Sequence, residues 1–336
     1  MRYRPAGKEL FTYNREKLQK RLKPNSVAIV RANDIMPTNA DGTMGFRQNA
    51  DLFYLTGIDQ EDTIVLLAPD FPDESLREVL FLRETSEEIA IWEGHKFTKE
   101  EGREISGITT VKWSHEFHRV LYTILAESTN IYLESNEHIR AASEVTTSNQ
   151  RFVKWCMEHY PLYNYERLAP ILYDLRCIKS EKEIEIIKHA CDITANTFRK
   201  MLGLIKPGVW EYEVEAEYIY EFILHRSRGF AYTPIIGGGA NSCVLHYIEN
   251  NQQLKSGDVL LMDVGAEYGN YNADLTRTVP VNGKFTKRQR AVYDAVLRVK
   301  NDAIDMLTPG GVIPEYHKEV GKIMESELLG LGLLDK

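Results

Sequence analysis

Residues 259–280 read Val259-Leu260-Leu261-Met262-Asp263-Val264-Gly265-Ala266-Glu267-Tyr268-Gly269-Asn270-Tyr271-Asn272-Ala273-Asp274-Leu275-Thr276-Arg277-Thr278-Val279-Pro280. Two apolar-rich runs around a short Gly/Asn turn form the pattern of a hairpin. Asp263 and Asp274 lie eleven residues apart. A turn at Tyr268-Gly269 makes them direct cross-strand partners, and a turn at Gly269-Asn270 makes them diagonal neighbours. In both registers they share a face, because side chains alternate with period two. Two like charges on adjacent strands repel and are costly to desolvate, so something positive is expected between them. A hard divalent cation answers this most simply, since an oxygen-only donor set suits manganese-like ions. Arg277 is the rival counter-charge, but its odd separation from Asp274 points it to the other face. The alternative reading of either residue is an ordinary acid at a strand end.

His246, in Val244-Leu245-His246-Tyr247, reads as a metal ligand, an acid/base or a satisfied core histidine. Gly237-Gly238-Gly239 has neither the Lys-Ser/Thr ending of a phosphate loop nor the spacing of a dinucleotide fingerprint, and reads as a flexible loop. His115 and His118 have ligand-like spacing without a supporting carboxylate motif, and read as a solvated helix face.

These residues need elements to hold them. Over the first ~170 residues, Thr63-Ile64-Val65-Leu66-Leu67, Val79-Leu80-Phe81-Leu82 and Asn130-Ile131-Tyr132-Leu133 read as buried strands between helical stretches, an α/β layer. A helix is expected around residues 166–175, and the domain division falls there: an N-terminal α/β domain over 1–172 and a second domain over 173–336. The second part opens with a capping box, Ser180 with Glu183. Ile184, Ile187, Cys191, Ala195, Phe198 and Leu202 follow at helical spacing as an apolar face, up to Pro207-Gly208. The next helix turns Val214, Tyr218, Ile219 and Phe222 inward and ends near Gly229. A second capping box, Thr286 with Gln289, starts a helix that Pro309-Gly310-Gly311 ends, and a last helix runs to about Leu329. The helix–Pro-Gly–helix unit thus occurs twice, a hint of internal duplication.

Composition bounds the function. At 336 residues the chain can bury two cores, and 43% hydrophobic with 27% charged residues is normal for a globular protein. A net charge of -8 without a basic cluster argues against nucleic acid. No apolar run approaches the ~20 residues of a membrane span, and the first residues lack a signal-like apolar stretch, so a cytoplasmic protein with no membrane partner is expected. Cys156, Cys177, Cys191 and Cys243 show no CxxC spacing and read as buried free thiols.

The string Tyr232-x-x-Ile235-x-Gly237-Gly238-Gly239-x-Asn241, then Leu245-His246-Tyr247-x-x-Asn250, Gly257-Asp258-x-x-Leu261-x-Asp263-x-Gly265-Ala266-Glu267-x-x-x-Tyr271-x-x-Asp274 and Thr276-Arg277-Thr278, closing on Pro280-Val281-Asn282-Gly283-Lys284-Phe285-Thr286, resembles the first half of the catalytic domain of the pita-bread metallopeptidases. Phe46-Arg47-Gln48-Asn49-Ala50-Asp51-Leu52-Phe53-Tyr54-Leu55-Thr56-Gly57 and Ile91-Trp92-Glu93-Gly94 resemble the N-terminal domain of the aminopeptidase P branch. The resemblance covers essentially the whole chain.

It implies an α/β N-terminal domain and an α+β pita-bread catalytic domain. The implied activity is metal-dependent release of the N-terminal residue from peptides with proline second, by a hydroxide bridging two metals. Asp263 would chelate one metal and Asp274 bridge two, usually manganese, with zinc or cobalt as alternatives. His246 would hydrogen-bond the substrate near the scissile carbonyl and support the oxyanion, and Tyr232 would line the substrate pocket. The N-terminal domain would restrict the site to peptide N-termini and mediate a homodimer or homotetramer. Prolidase, cleaving Xaa-Pro dipeptides, and a non-catalytic pita-bread binding protein are the alternatives. The family completes its site with a histidine and two glutamates from a duplicated second half, whose motifs do not occur here. Glu315, His317, Glu319, Glu325 and Glu327 lie in the wrong context to replace them. The expectation is an incomplete catalytic domain with uncovered apolar surface and open sheet edges, inactive or poorly folded if the 336 residues are the whole polypeptide.

Overall fold

The computed structural model describes residues 2–135, 137–138 and 144–335, so the first and last residues of the two expected domain ranges lie outside it. The chain divides into two units, Met1–His189 with Tyr268–Tyr271, and Ala190–Glu267 with Asn272–Lys336.

In the first unit the elements run α1 (Lys8–Gln19), β1 (Ser26–Arg31), α2 (Ala50–Thr56), β2 (Ile64–Leu67), β3 (Glu78–Leu82), α3 (Glu87–Glu93), α4 (Lys99–Ser106), β4 (Thr110–Trp113), α5 (Phe117–Leu125), β5 (Asn130–Leu133), α6 (Ser148–His159), β6 (Asn164–Arg167) and α7 (Ala169–Cys177). The strands form one mixed sheet, β4-β3-β2-β1-β5-β6. β1 pairs antiparallel with β2 and parallel with β5. The strands are continuously apolar because both faces are covered. Ala28, Val30, Val65, Leu67, Leu80 and Leu82 pack on one side with Leu18, Leu52 and Leu172, and Val27, Ile29, Leu66, Val79 and Phe81 pack on the other with Phe117, Leu121 and Phe152. The three strands expected from the sequence all form. The helix expected around residues 166–175 starts later, because Glu166 belongs to β6. Pro170, whose φ suits a first turn and whose missing N–H suits no later position, sets the start of α7.

The other elements are α8 (Glu181–Leu204), α9 (Glu211–Leu224), β7 (Gly229–Phe230), β8 (Ile235–Gly238), β9 (Val259–Val264), β10 (Ala266–Tyr268), β11 (Tyr271–Asn272), β12 (Leu275–Pro280), α10 (Lys287–Asp305) and α11 (Ile313–Gly330). Two three-stranded sheets form, β11-β10-β7 and β12-β9-β8. Both expected capping boxes are made: Ser180 N donates to Glu183 Oε2 at 2.8 Å, and Thr286 and Gln289 cap α10 reciprocally. On α9, Val214, Tyr218 and Phe222 are fully buried, as their spacing requires; the helix ends at Leu224 rather than near Gly229, which opens β7.

The apolar face assigned to α8 has the right period and the wrong phase. Ile184, Cys191 and Leu202 are exposed, and the buried stripe is Glu183, Ala190, Ile193, Thr194, Thr197 and Met201. Threonine is not counted as apolar, yet Thr194 can be buried because its hydroxyl donates to Ala190 O at 2.9 Å and accepts from Ala266 N at 3.0 Å.

Two further expectations are corrected. Of the four free cysteines only Cys156 is buried; Cys177, Cys191 and Cys243 are exposed, since each lies off the packed face of its element. Gly237-Gly238-Gly239 is the end of β8 running into a 3-10 turn, not a flexible loop. A Cβ at Gly237 would stand 2.9 Å from Asn241 O, so close backbone approach is what requires glycine there. Among the described residues no helix is long and apolar enough to cross a membrane.

Candidate metal centre

Asp263 owes its position to the period of β9. Leu260, Met262 and Val264 are fully buried, so Val259, Leu261 and Asp263 occupy the more open face. The turn is Gly269-Asn270, both residues with positive φ, +58° and +64°, which suits a two-residue hairpin connection. It fixes the register Asp263↔Thr276 and Val264↔Leu275 between β9 and β12. Asp274, two residues from Thr276, is therefore the diagonal neighbour of Asp263 on the same face, one of the two registers expected. Gly265 lies under the turn back toward Asp274. A Cβ there would stand 1.9 Å from Ala273 O and 3.2 Å from a ring carbon of Tyr232, so only glycine lets these backbones meet.

Tyr232 joins the pair. Ala231 N donates to Gly265 O at 2.8 Å, which sets the next side chain beside the acids. The Tyr232 hydroxyl lies 2.6 Å from Asp263 Oδ1 and 3.2 Å from Asp274 Oδ1, and shares its single proton between them. The two carboxylate oxygens thus converge on one atom and can be no further apart than the sum of those distances. Burial, then the hydrogen bond to Asp263 and the charges of both acids, push the Tyr232 phenol far above its ordinary value. Sequence separation hides this contact, since the partners are 31 and 42 residues away and no spacing rule connects them.

Neither aspartate has an ion-pair partner among the described residues. Arg277 donates to its neighbour's carbonyl, Thr276 O, at 2.8 Å and pairs with Met262 across the ladder, as its odd separation requires. Two carboxylates aimed at one point, with one neutral hydroxyl and no cationic side chain of the described residues between them, suit a hard divalent cation. Among the described residues no group of three or more His, Cys, Asp or Glu could hold a metal ion. Two of the acids of α11 are engaged elsewhere: Glu327 with Arg298 at 2.6 Å and Glu319 with Lys322 at 2.6 Å.

His246 is not brought onto this trio by a hydrogen bond. It is exposed, in the segment after the 3-10 turn, so the core-histidine reading does not hold. On the open face of β9, Val259 and Leu261 line an open groove of about 780 Å³ with Phe285, Val292, Tyr293 and Val296.

Residues 185–334 match the model of metallopeptidase family M24, and residues 11–132 match the aminopeptidase P N-terminal domain. The chain is 32% identical to the Xaa-Pro aminopeptidase of Escherichia coli (strain K12), over 98% of this chain and 74% of that protein. It is also 32% identical to that of Haemophilus influenzae, over 97% of this chain and 73% of that one. Among solved structures, Pseudomonas aeruginosa aminopeptidase PepP superposes with a TM-score of 0.89 at 28% identity, covering 99% of this chain and 75% of that one. Proline aminopeptidase P II from Yersinia pestis gives 0.86 at 33%, covering 98% and 76%.

Proposed function

Because the chain belongs to the Xaa-Pro aminopeptidase family of M24 metallopeptidases, we propose that it is a metal-dependent aminopeptidase releasing the first residue of peptides whose second residue is proline. The single observation that carries the chemistry is the convergence of Asp263 and Asp274 on the Tyr232 hydroxyl, with no cation of the protein between them.

In this reading Asp263 and Asp274 hold the divalent ions through carboxylate oxygens, with manganese as the metal. Bound there, the ions supply Lewis acidity and lower the pKa of water. Tyr232 steers the two carboxylates toward a common point and lines the substrate pocket. His246 donates a hydrogen bond to the scissile carbonyl oxygen as negative charge develops on it, which lowers the barrier only if the imidazole is already in place. The reading also takes residues 1–172 as the N-terminal domain and 173–336 as catalytic, with a homodimer or homotetramer in the cytoplasm. The relatives support an aminopeptidase over a dipeptidase, because the Escherichia coli and Haemophilus influenzae proteins carry that activity in their names.

Incubating the full chain with Mn²⁺ and a tripeptide with proline second, and following the released residue by mass spectrometry, tests this. Release that requires Mn²⁺ and disappears in Asp263→Asn supports the reading. Mn²⁺ titration of the same pair of proteins separates its parts. Equal Mn²⁺ affinity in Asp263→Asn and the parent chain would remove the metal assignment whatever the peptidase result.

A further inference from the structure

His246 makes no hydrogen bond among the described residues and is exposed, so its side chain does nothing to hold itself in place. Its position is set by the backbone of residues 238–252, a segment that is regular only in the 3-10 turn Gly239–Cys243. What fixes that segment is a carboxylate from another element.

Glu211, the first residue of α9, is 0% exposed. Its Oε1 accepts from Gly238 N at 2.7 Å and Asn241 Nδ2 at 3.3 Å. Its Oε2 accepts from the Tyr247 hydroxyl at 2.7 Å and Gln252 N at 2.9 Å. The donors come from the start, the turn, the middle and the end of the segment. All four are neutral, and no lysine, arginine or histidine among the described residues pairs with this acid. Burying an unpaired carboxylate is costly unless its hydrogen bonds are good, and four of them match the lone-pair capacity of the two oxygens. A glutamine could not replace it, having one acceptor oxygen and a donor group that would face donors. Tyr247 follows His246 directly: its ring is buried and its hydroxyl is on Glu211, so the neighbouring imidazole is turned outward. Asn250 adds a second anchor, accepting from Ile236 N at 3.0 Å and donating to Glu215 Oε2 at 2.8 Å.

We infer that Glu211 is a positioning residue that sets the His246 imidazole through the Tyr247 hydroxyl, and that it acts on peptide cleavage through His246. The catalytic half of this inference rests on the function proposed above; the anchoring half does not.

The test uses the full chain labelled with ¹³Cε1-histidine, which has nine histidines, with the His246 signal assigned by its absence in His246→Ala. Glu211→Gln and Tyr247→Phe are expected to shift or broaden the His246 signal and leave histidines of the N-terminal unit, such as His95 and His159, unmoved. With the Mn²⁺-loaded chain, Tyr247→Phe is expected to lower kcat by about tenfold with KM within twofold, the split expected when a transition-state contact is weakened. Should Glu211→Gln fail to fold, Tyr247→Phe decides alone, since it deletes one hydroxyl and keeps the ring. An unmoved His246 signal in folded Tyr247→Phe overturns the anchoring. A full kcat in His246→Ala overturns the catalytic half while the resonance shifts still stand, so the two failures are told apart.

Discussion

Asp263 pairs across the ladder with Thr276, not with Asp274, and the two aspartates are diagonal neighbours that share the proton of Tyr232. This arrangement keeps like charges one step apart while both carboxylates face one point. It makes opposite demands on stability with and without metal.

Asp274→Asn removes one of two repelling charges, so without metal it is expected to raise stability by up to about 1 kcal/mol. With Mn²⁺ in excess it is expected to lower stability relative to the parent chain, because binding stabilises only the folded state. Urea unfolding with and without Mn²⁺ reads both signs; a loss of stability in both conditions contradicts the like-charge account.

Gly265→Ala is expected to destabilise the second unit by about 3 kcal/mol or more, since its methyl group would stand 1.9 Å from Ala273 O and the strand must shift. The same shift separates Asp263 from Asp274. Calorimetric Mn²⁺ titration of the folded fraction should show weakened binding, and unchanged affinity would mean that the hairpin does not set the pair.

Glu134, 8% exposed after β5, carries a pH dependence. Burial, and then the charge of Asp51, push its carboxyl up to about 7, against a single hydrogen bond from Asn49 Nδ2 at 2.8 Å and the charge of Arg176, with Glu137 adding to the rise. A folded-state value above the ordinary one means that the folded chain holds this proton more tightly. Stability is therefore highest below the ordinary glutamate range, falls as pH rises toward 7, and is level above it, a total on the order of 3 kcal/mol. Glu134→Gln should flatten the unfolding midpoint between pH 5 and 8 relative to the parent chain. Parallel curves for the two proteins would show that Glu134 ionises normally.

Arg15 is fully buried, donating to Glu78 Oε2 at 2.9 Å and to Leu55 O and Ser106 O at 2.8 Å each. Arg15→Met keeps much of the volume and strands three acceptors. The expected cost is about 3 to 5 kcal/mol in the first unit, measured by thermal unfolding, with Mn²⁺ affinity unchanged.

The share of this protein legible in its sequence follows the range of the forces involved. Period two and a Gly-Asn turn are properties of a few adjacent residues, and they put Asp263 and Asp274 on one face whatever surrounds them. Capping boxes at Ser180 and Thr286 and the apolar strands of the first unit are equally local. The face that α8 buries was not legible, because 3.6-residue periodicity sets a stripe's width and not its phase, and the phase went to Ala190, Thr194 and Thr197, whose partners lie on other turns and strands. Nor could the sequence assign Tyr232 to the carboxylates or Glu211 to the His246 segment. Those contacts join residues more than 25 positions apart, and only the packed chain, which must satisfy every buried donor and acceptor, decides which of the available acids and hydroxyls meet.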